Sequence, residues 1–213
     1  MEAFIEPLRS LDWEDIDAVE NATRKTLTAL TEDGAPLWDA LSTLPERPEL
    51  LRLCEHYDIL DKIVLHVDES GVRLRMHIFW PGYYDRPHNH RWSYASTILR
   101  GQYRHYLFGD AEVNETTEPS SLKALIVRQE QVGNAYALHH TMVHAVVAEP
   151  FTVSLVIRGP AVKDRFLVMD RKTGESWWQY GASQESAYDA EQKRMSHAQL
   201  SELTDRLRGW SLF

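Results

Sequence analysis

Two short histidine runs hold the residue types and spacing most able to do chemistry: Gly82-x5-His88-x-His90 and Gly133-x5-His139-His140-Thr141-x2-His144. Residues two apart on a strand leave the same face, so His88 and His90 could chelate one ion. His144 arrives on a later segment and would complete a three-nitrogen facial set. Imidazole suits iron, zinc, copper and nickel. Three protein ligands leave positions for solvent, substrate or oxygen, which separates a catalytic metal site from a structural one. The competing reading is a collection of unrelated loop or core histidines. Agreement of spacing and flanking glycine at both runs argues against it.

Neighbouring residues extend the candidate site. Counted from His90, Tyr94 keeps the ligands' strand face. Its hydroxyl either enters a cavity beside the metal or is satisfied within a packed core. Arg158 follows the apolar pair Val156-Ile157 and precedes Gly159-Pro160. A guanidinium there either clamps a substrate carboxylate bidentately or ends a strand in solvent. His139 and His140 cannot both face one way on a strand and fit the turn before His144. There His140 would orient a ligand or act as a base, or have no chemical role. His105, in Tyr103-Arg104-His105-Tyr106, is a further residue able to approach the cavity.

The elements that must position these residues are mainly strands. Residues 72–80 alternate strictly, with Val72, Leu74, Met76, Ile78 and Trp80 on one side and Arg73, Arg75, His77 and Phe79 on the other. Further strands are predicted at 63–67, 90–99, 102–108, 122–127, 135–138, 144–147, 152–157 and 165–169, with a polar loop over 109–121. Helical patterning occupies 11–56, where Asp12 or Asp15 caps a first helix carrying Ile16, Val19, Thr23, Leu27 and Leu30. Two shorter segments follow, from Pro36 and from Pro48 to about His56. Ser196-x-x-Gln199 is a capping box ahead of Leu200, Leu203 and Leu207. Residues 181–194 are polar and predict a helix or a mobile cover.

Composition sets bounds. The chain has 213 residues, 43% of them hydrophobic, enough for one domain (1–213) with a barrel core over 60–170 and a C-terminal extension over 175–213. A formal charge of −9 without a basic stretch argues against nucleic acid as a partner. A single cysteine, Cys54, precludes an internal disulfide and reads as a buried thiol on a helix. No secretory signal or membrane-spanning run is visible, so a cytoplasmic protein, monomer or homodimer, is expected.

The two histidine runs resemble the paired motifs of the cupin superfamily, G-x5-H-x-H-x3,4-E-x6-G and G-x5-P-x-G-x2-H-x3-N. Gly82, His88, His90, Gly101, Gly133 and His144 fall in register. Tyr94 stands in the glutamate slot, and His139, Thr141 and Ala148 replace the proline, glycine and asparagine. The resemblance implies a mainly β fold, a jelly-roll barrel (double-stranded β-helix) with N-terminal helices and a C-terminal helix. Three metal-binding histidines without the glutamate resemble the thiol-dioxygenase branch typified by cysteine dioxygenase. Ile78-Phe79-Trp80-Pro81-Gly82 and Ser154-Leu155 before a Gly-Pro are similar to that branch as well. The chain departs where the branch has a catalytic His and Tyr, here Val156 and Arg158, and residues 60–66 lack its substrate arginine.

Parity and this resemblance together turn Ile78 and Trp80 toward the lumen, Trp80 as a substrate-binding wall. They turn Arg73, Arg75 and His77 outward or against the N-terminal helices. The function implied is a mononuclear non-haem iron(II) dioxygenase. It would use dioxygen on a small amino-acid-like or thiol-containing substrate, held by Arg158 and assisted by Tyr94. A zinc or nickel cupin lyase or isomerase fits the same ligands, as does a non-catalytic cupin that binds a small ligand.

Overall fold

The computed structural model describes residues 1–109, 113–181 and 184–212. Residues 110–112 of the predicted loop and 182–183 of the polar C-terminal stretch lie outside the described residues. The chain opens with α1 (Glu2–Ile5), α2 (Ile16–Glu32), α3 (Ala35–Thr43) and α4 (Pro48–Leu51). Asp15 caps α2, its carboxylate accepting from the backbone N–H groups of Asp17 and Ala18. Val19, Thr23, Leu27 and Leu30 form the buried stripe, at the spacing the sequence predicts. The third helical segment ends at Leu51 rather than His56. Residues from Glu55 are recruited into β1 (Glu55–Tyr57), which pairs in antiparallel register with β2 (Leu60–Val67). Cys54 therefore sits between helix and strand, buried, with its sulfur accepting from the Val64 N–H.

After β2 come β3 (Arg73–Phe79), β4 (Tyr94–Arg100), β5 (Gln102–Gly109), β6 (Ile126–Gln131), β7 (Ala135–Leu138), β8 (Val143–Ala148) and β9 (Thr152–Arg158). The hairpin β10 (Arg165–Asp170)–β11 (Glu175–Tyr180) follows. One sheet runs β1-β2-β3-β9-β4-β7 and another β6-β5-β8. Residues 84–88 join β8 to the β10–β11 hairpin through bridges Tyr84–Val147, His88–His144 and His88–Val168. Leu60, Phe79, Tyr94, Ile98, Tyr136, Leu138 and Val156 of the large sheet pack with Tyr103, Val146 and Ala148 of the other. The two sheets thus face each other around a shared interior. Gly101 turns β4 into β5 with φ +73°, and a Cβ there would lie 2.5 Å from Thr152 Oγ1.

The outer face of the large sheet carries the main core. Leu74, Met76 and Ile78 of β3 and Val153, Leu155 and Ile157 of β9 pack with the N-terminal helices and with Leu200, Leu203 and Leu207 of α6 (His197–Gly209). Ser196 and Gln199 form the predicted capping box of α6. This reverses the expected orientation of β3. Arg73, Arg75, His77 and Phe79 share the inner face, and Ile78 points to the helices. Helices on only one side decide it, because an all-apolar strand face must be covered by an apolar layer.

Other boundaries differ locally. The strand expected from His90 begins at Tyr94, and the one expected at 122–127 lies at Ile126–Gln131 after a single 3₁₀ turn (Pro119–Ser121). β11 lies in a stretch for which no strand was expected, and the polar segment beyond it holds α5 (Ala187–Gln192). No helix among the described residues is long and apolar enough to cross a membrane.

Candidate metal centre

Backbone pairing brings the histidines together. His88 and His144 exchange both main-chain hydrogen bonds, each 2.9 Å, as a closely bonded antiparallel pair. Their side chains consequently leave on the same face. The His90 N–H donates to His140 O at 3.1 Å, and the Leu167 N–H to Asn89 Oδ1 at 2.9 Å. The stretch from His88 to His90 is thus an extended ribbon pinned from both sides, not a regular strand. Period-two geometry survives there: His88, His90, Trp92 and Tyr94 contact one another in succession, with ring centres 4.6–4.9 Å apart for the pairs His88–His90, His90–Trp92 and His90–Tyr94.

One donor nitrogen from each of His88, His90 and His144 lies within 4.8 Å of the others. Nε2 of His90 and Nε2 of His144 are 2.8 Å apart. Two nitrogens about 2.0–2.1 Å from one ion, at a right angle, would be separated by about 3 Å. Arg86 O can only accept, so His88 donates from Nδ1 at 2.8 Å, which leaves Nε2 as its nitrogen for the group. Burial and the neighbouring His88 push the His90 and His144 imidazoles well below their ordinary range. They are therefore neutral, the form that binds metal. No carboxylate belongs to the group. The donor set fits a borderline divalent transition metal held by three imidazoles.

His144 is supported from behind. Its Nδ1 lies 2.9 Å from Nε2 of buried His105, and Nδ1 of His105 faces Oε1 of buried Glu130 at 3.5 Å. Were His144 to hold a metal through Nε2, its Nδ1–H would donate to His105 Nε2, and the His105 Nδ1–H would point at the carboxylate. Glu130 is itself held by Arg128 Nε at 3.0 Å. His105 is among the sequence candidates; Glu130, two residues along β6 from Arg128, the cross-strand partner of His105, carries no signal in the sequence.

Tyr94 is buried with its hydroxyl 3.4 Å from His144 Nε2. Burial and the nearby Tyr103 push its phenol well above the ordinary range, so it keeps its proton. Arg158 is buried directly across from Tyr94 in the β4–β9 register, and its Cζ lies 5.4 Å from the centre of the Trp92 ring. Trp92 stacks on His90 at 4.6 Å. Sequence reading passed over Trp92, although the parity that selects Tyr94 also selects it.

Two expected site residues lie elsewhere. Trp80 packs on the helix side: its Nε1 donates to Asp61 Oδ2 at 2.6 Å, its ring meets Phe151 edge-on, and Arg206 of α6 lies over it. It is not a wall of the lumen, because it follows the outer parity of Ile78. The His140 ring turns to Glu14, at 3.2 Å, and lies beside His139, which also contacts Glu14. Only its backbone carbonyl reaches the candidate ligands, so the expected role of its ring is not supported by position. Glu14, His139 and His140 form a second group whose donor atoms lie within 4.8 Å, but Glu14 is exposed.

Fold and site together define a two-sheet β-barrel with a candidate three-histidine metal centre in its interior. No protein-family model matches the chain, and no curated protein matches it. Similar solved structures include "The structure of KdgF from Halomonas sp.", at 17% identity and TM-score 0.40, covering 50% of this chain and 86% of that one. An RmlC-like cupin from Shewanella frigidimarina has 17% identity and TM-score 0.39, with 52% and 86% covered. DMSP lyase DddQ from Ruegeria pomeroyi has 15% identity and TM-score 0.39, with 52% of each chain covered.

Proposed function

We propose that the chain is a mononuclear non-haem iron(II) oxygenase acting on a small amino-acid-like or thiol-containing molecule, as its resemblance to three-histidine thiol dioxygenases implies. The observation that carries this reading is the convergence of His88, His90 and His144, without a carboxylate, beside the protonated phenol of Tyr94. Iron(II) there would keep its full positive charge among neutral ligands and supply redox chemistry with dioxygen. Tyr94 holds a proton at its hydroxyl and donates a hydrogen bond to the reacting end of the substrate. Arg158 binds an anionic group and so orients the molecule. His105 keeps the His144 ring in its tautomer and plane, while Trp92, Phe166 and Tyr136 limit water around the group.

Protein made without a chelating tag, stripped of metal and reloaded with iron(II), zinc or nickel, provides the test. One iron per chain and oxygen uptake stimulated by a thiol or amino acid are expected. His88→Ala, His90→Ala and His144→Ala should each abolish loading while leaving the far-UV spectrum unchanged. Full metal retention in any one removes that residue from the ligand set. Turnover with zinc and without oxygen uptake overturns the oxygenase reading.

A further inference from the structure

The orientation of β3 places a group of cations inside the barrel for which the described residues supply no counter-charge. Arg73 lies directly opposite Arg158 in the β3–β9 register, and Arg75 lies two residues further along the same face. In all three, Nε is buried and has no hydrogen-bond acceptor. Among the described residues, Arg158 bonds from one terminal nitrogen to the carbonyls of Gly159 and Gly71, at 2.8 and 3.4 Å. Among the described residues, no carboxylate reaches ion-pair distance of any of the three. Glu55, the nearest in electrostatic effect on Arg75, is held by Lys62 at 2.8 Å and Lys193 at 3.0 Å. The Cζ atoms of Arg75 and Arg158 lie 5.8 and 5.4 Å from the Trp92 ring centre. Face contacts with an indole ease a cation's burial but do not neutralise it.

Arg158 is buried, and Arg73 and Arg75 are half-buried with their Nε atoms out of water; arginines so enclosed are ordinarily paired or fully hydrogen-bonded. Water in the lumen could accept from the guanidinium groups, but it would leave three like charges on adjacent strand positions uncompensated. A single carboxylate would offset one of them. We propose that Arg73, Arg75 and Arg158 form a binding site for the acidic end of a small molecule carrying at least two negative charges. Trp92 spans the space between that site and His90. Tyr94 is the cross-strand neighbour of Arg158 and touches His144. A ligand gripped by the arginines therefore extends its other end toward the histidines. The pocket takes a dianion whatever the metal; that its other end reacts rests on the oxygenase reading.

The test uses the whole 213-residue chain, metal-free, with malonate and inorganic phosphate as dianionic probes and acetate as the monoanion, followed by calorimetry at constant ionic strength. Malonate or phosphate should bind at least tenfold more tightly than acetate. Arg75→Gln and Arg158→Gln should each weaken the dianion at least tenfold, and Arg158→Lys should give an intermediate loss because it keeps charge without the planar fork. Arg100→Gln, at the half-buried end of β4 and bonded to Phe151 O outside this group, should not change dianion affinity. If a glutamine variant is misfolded by circular dichroism, Arg75→Met replaces it, with the same loss expected. Equal affinity for acetate, absence of binding, or affinity indifferent to these substitutions overturns the proposal. Because no metal is present, failure of His88→Ala to lose iron would sink the metal reading and leave this result standing.

Discussion

The two faces of β3 are opposite in character. Leu74, Met76 and Ile78 are fully buried beneath the helices, while Arg73, Arg75 and His77, interleaved with them, line the interior with unaccepted nitrogens. One face is organised for stability and the other is not. Apolar side chains gain free energy by leaving water, whereas an unpaired cation loses solvation on the same journey. The outer face explains why the sheet forms; the inner face fits the anion site proposed above.

Substituting the two faces in parallel tests this division, and the largest effect belongs to the outer one. Met76→Ala should cost about 2–5 kcal/mol by leaving a cavity under the helices, with dianion affinity in the surviving folded protein unchanged. Arg75→Met should be neutral or stabilising and should lose the dianion. Denaturant titration reads the first quantity and calorimetry the second; a strongly destabilised Arg75→Met would mean that the inner face is structural after all. pH sharpens the contrast. Burial and the nearby Arg75, Arg73 and Arg91 hold the Arg158 guanidinium down to about 8. Above that pH the folded chain has released a proton that the unfolded chain keeps, so this group's contribution to stability rises between about pH 8 and 10. Removing Arg75 should flatten that rise.

Trp80 gives the next largest effect and tests which side of the sheet it serves. Its indole donates to Asp61 Oδ2 at 2.6 Å, and Asp61 is fully buried. Trp80→Phe leaves that oxygen without its donor, which should cost about 1–3 kcal/mol. Metal content and KM should not move. A raised KM with unchanged stability would return Trp80 to the lumen.

What could be read from the chain follows from how far each signal reaches. The three histidines, the capping box at Ser196, the Asp15 cap and most strands were legible because spacing of two, three or four residues is a local property. Parity shows which residues of β3 share a face but not which face is inside, since that depends on where the helices pack. Resemblance resolved the ambiguity the wrong way and hid Arg73 and Arg75. Glu130 was illegible for a related reason: its link to His144 runs through His105 on a different strand, and cross-strand register leaves no trace at short sequence separation. His140 was legible as a histidine of the right turn, but Glu14, more than 120 residues away, claims its ring.

Tyr94 carries the smallest predicted effect and the finest test of the inner face. Its hydroxyl is 3.4 Å from His144 Nε2, too far for a strong bond to that nitrogen and close enough to reach a molecule bound beside it. Tyr94→Phe removes only that oxygen; the ring keeps its edge contacts with His90 and Tyr136, at 4.9 and 6.0 Å. Iron content should consequently be unchanged. One lost hydrogen bond is worth about 0.5–1.5 kcal/mol, so turnover at matched iron loading should fall by roughly two- to tenfold. KM for an anionic substrate should hold if, as proposed, Arg158 across the strand grips the other end. Loss of iron would make the phenol a ligand, filling the position that many cupins give to glutamate. Unchanged turnover with unchanged iron would reduce it to packing, and the proton it holds would have no part in the reaction.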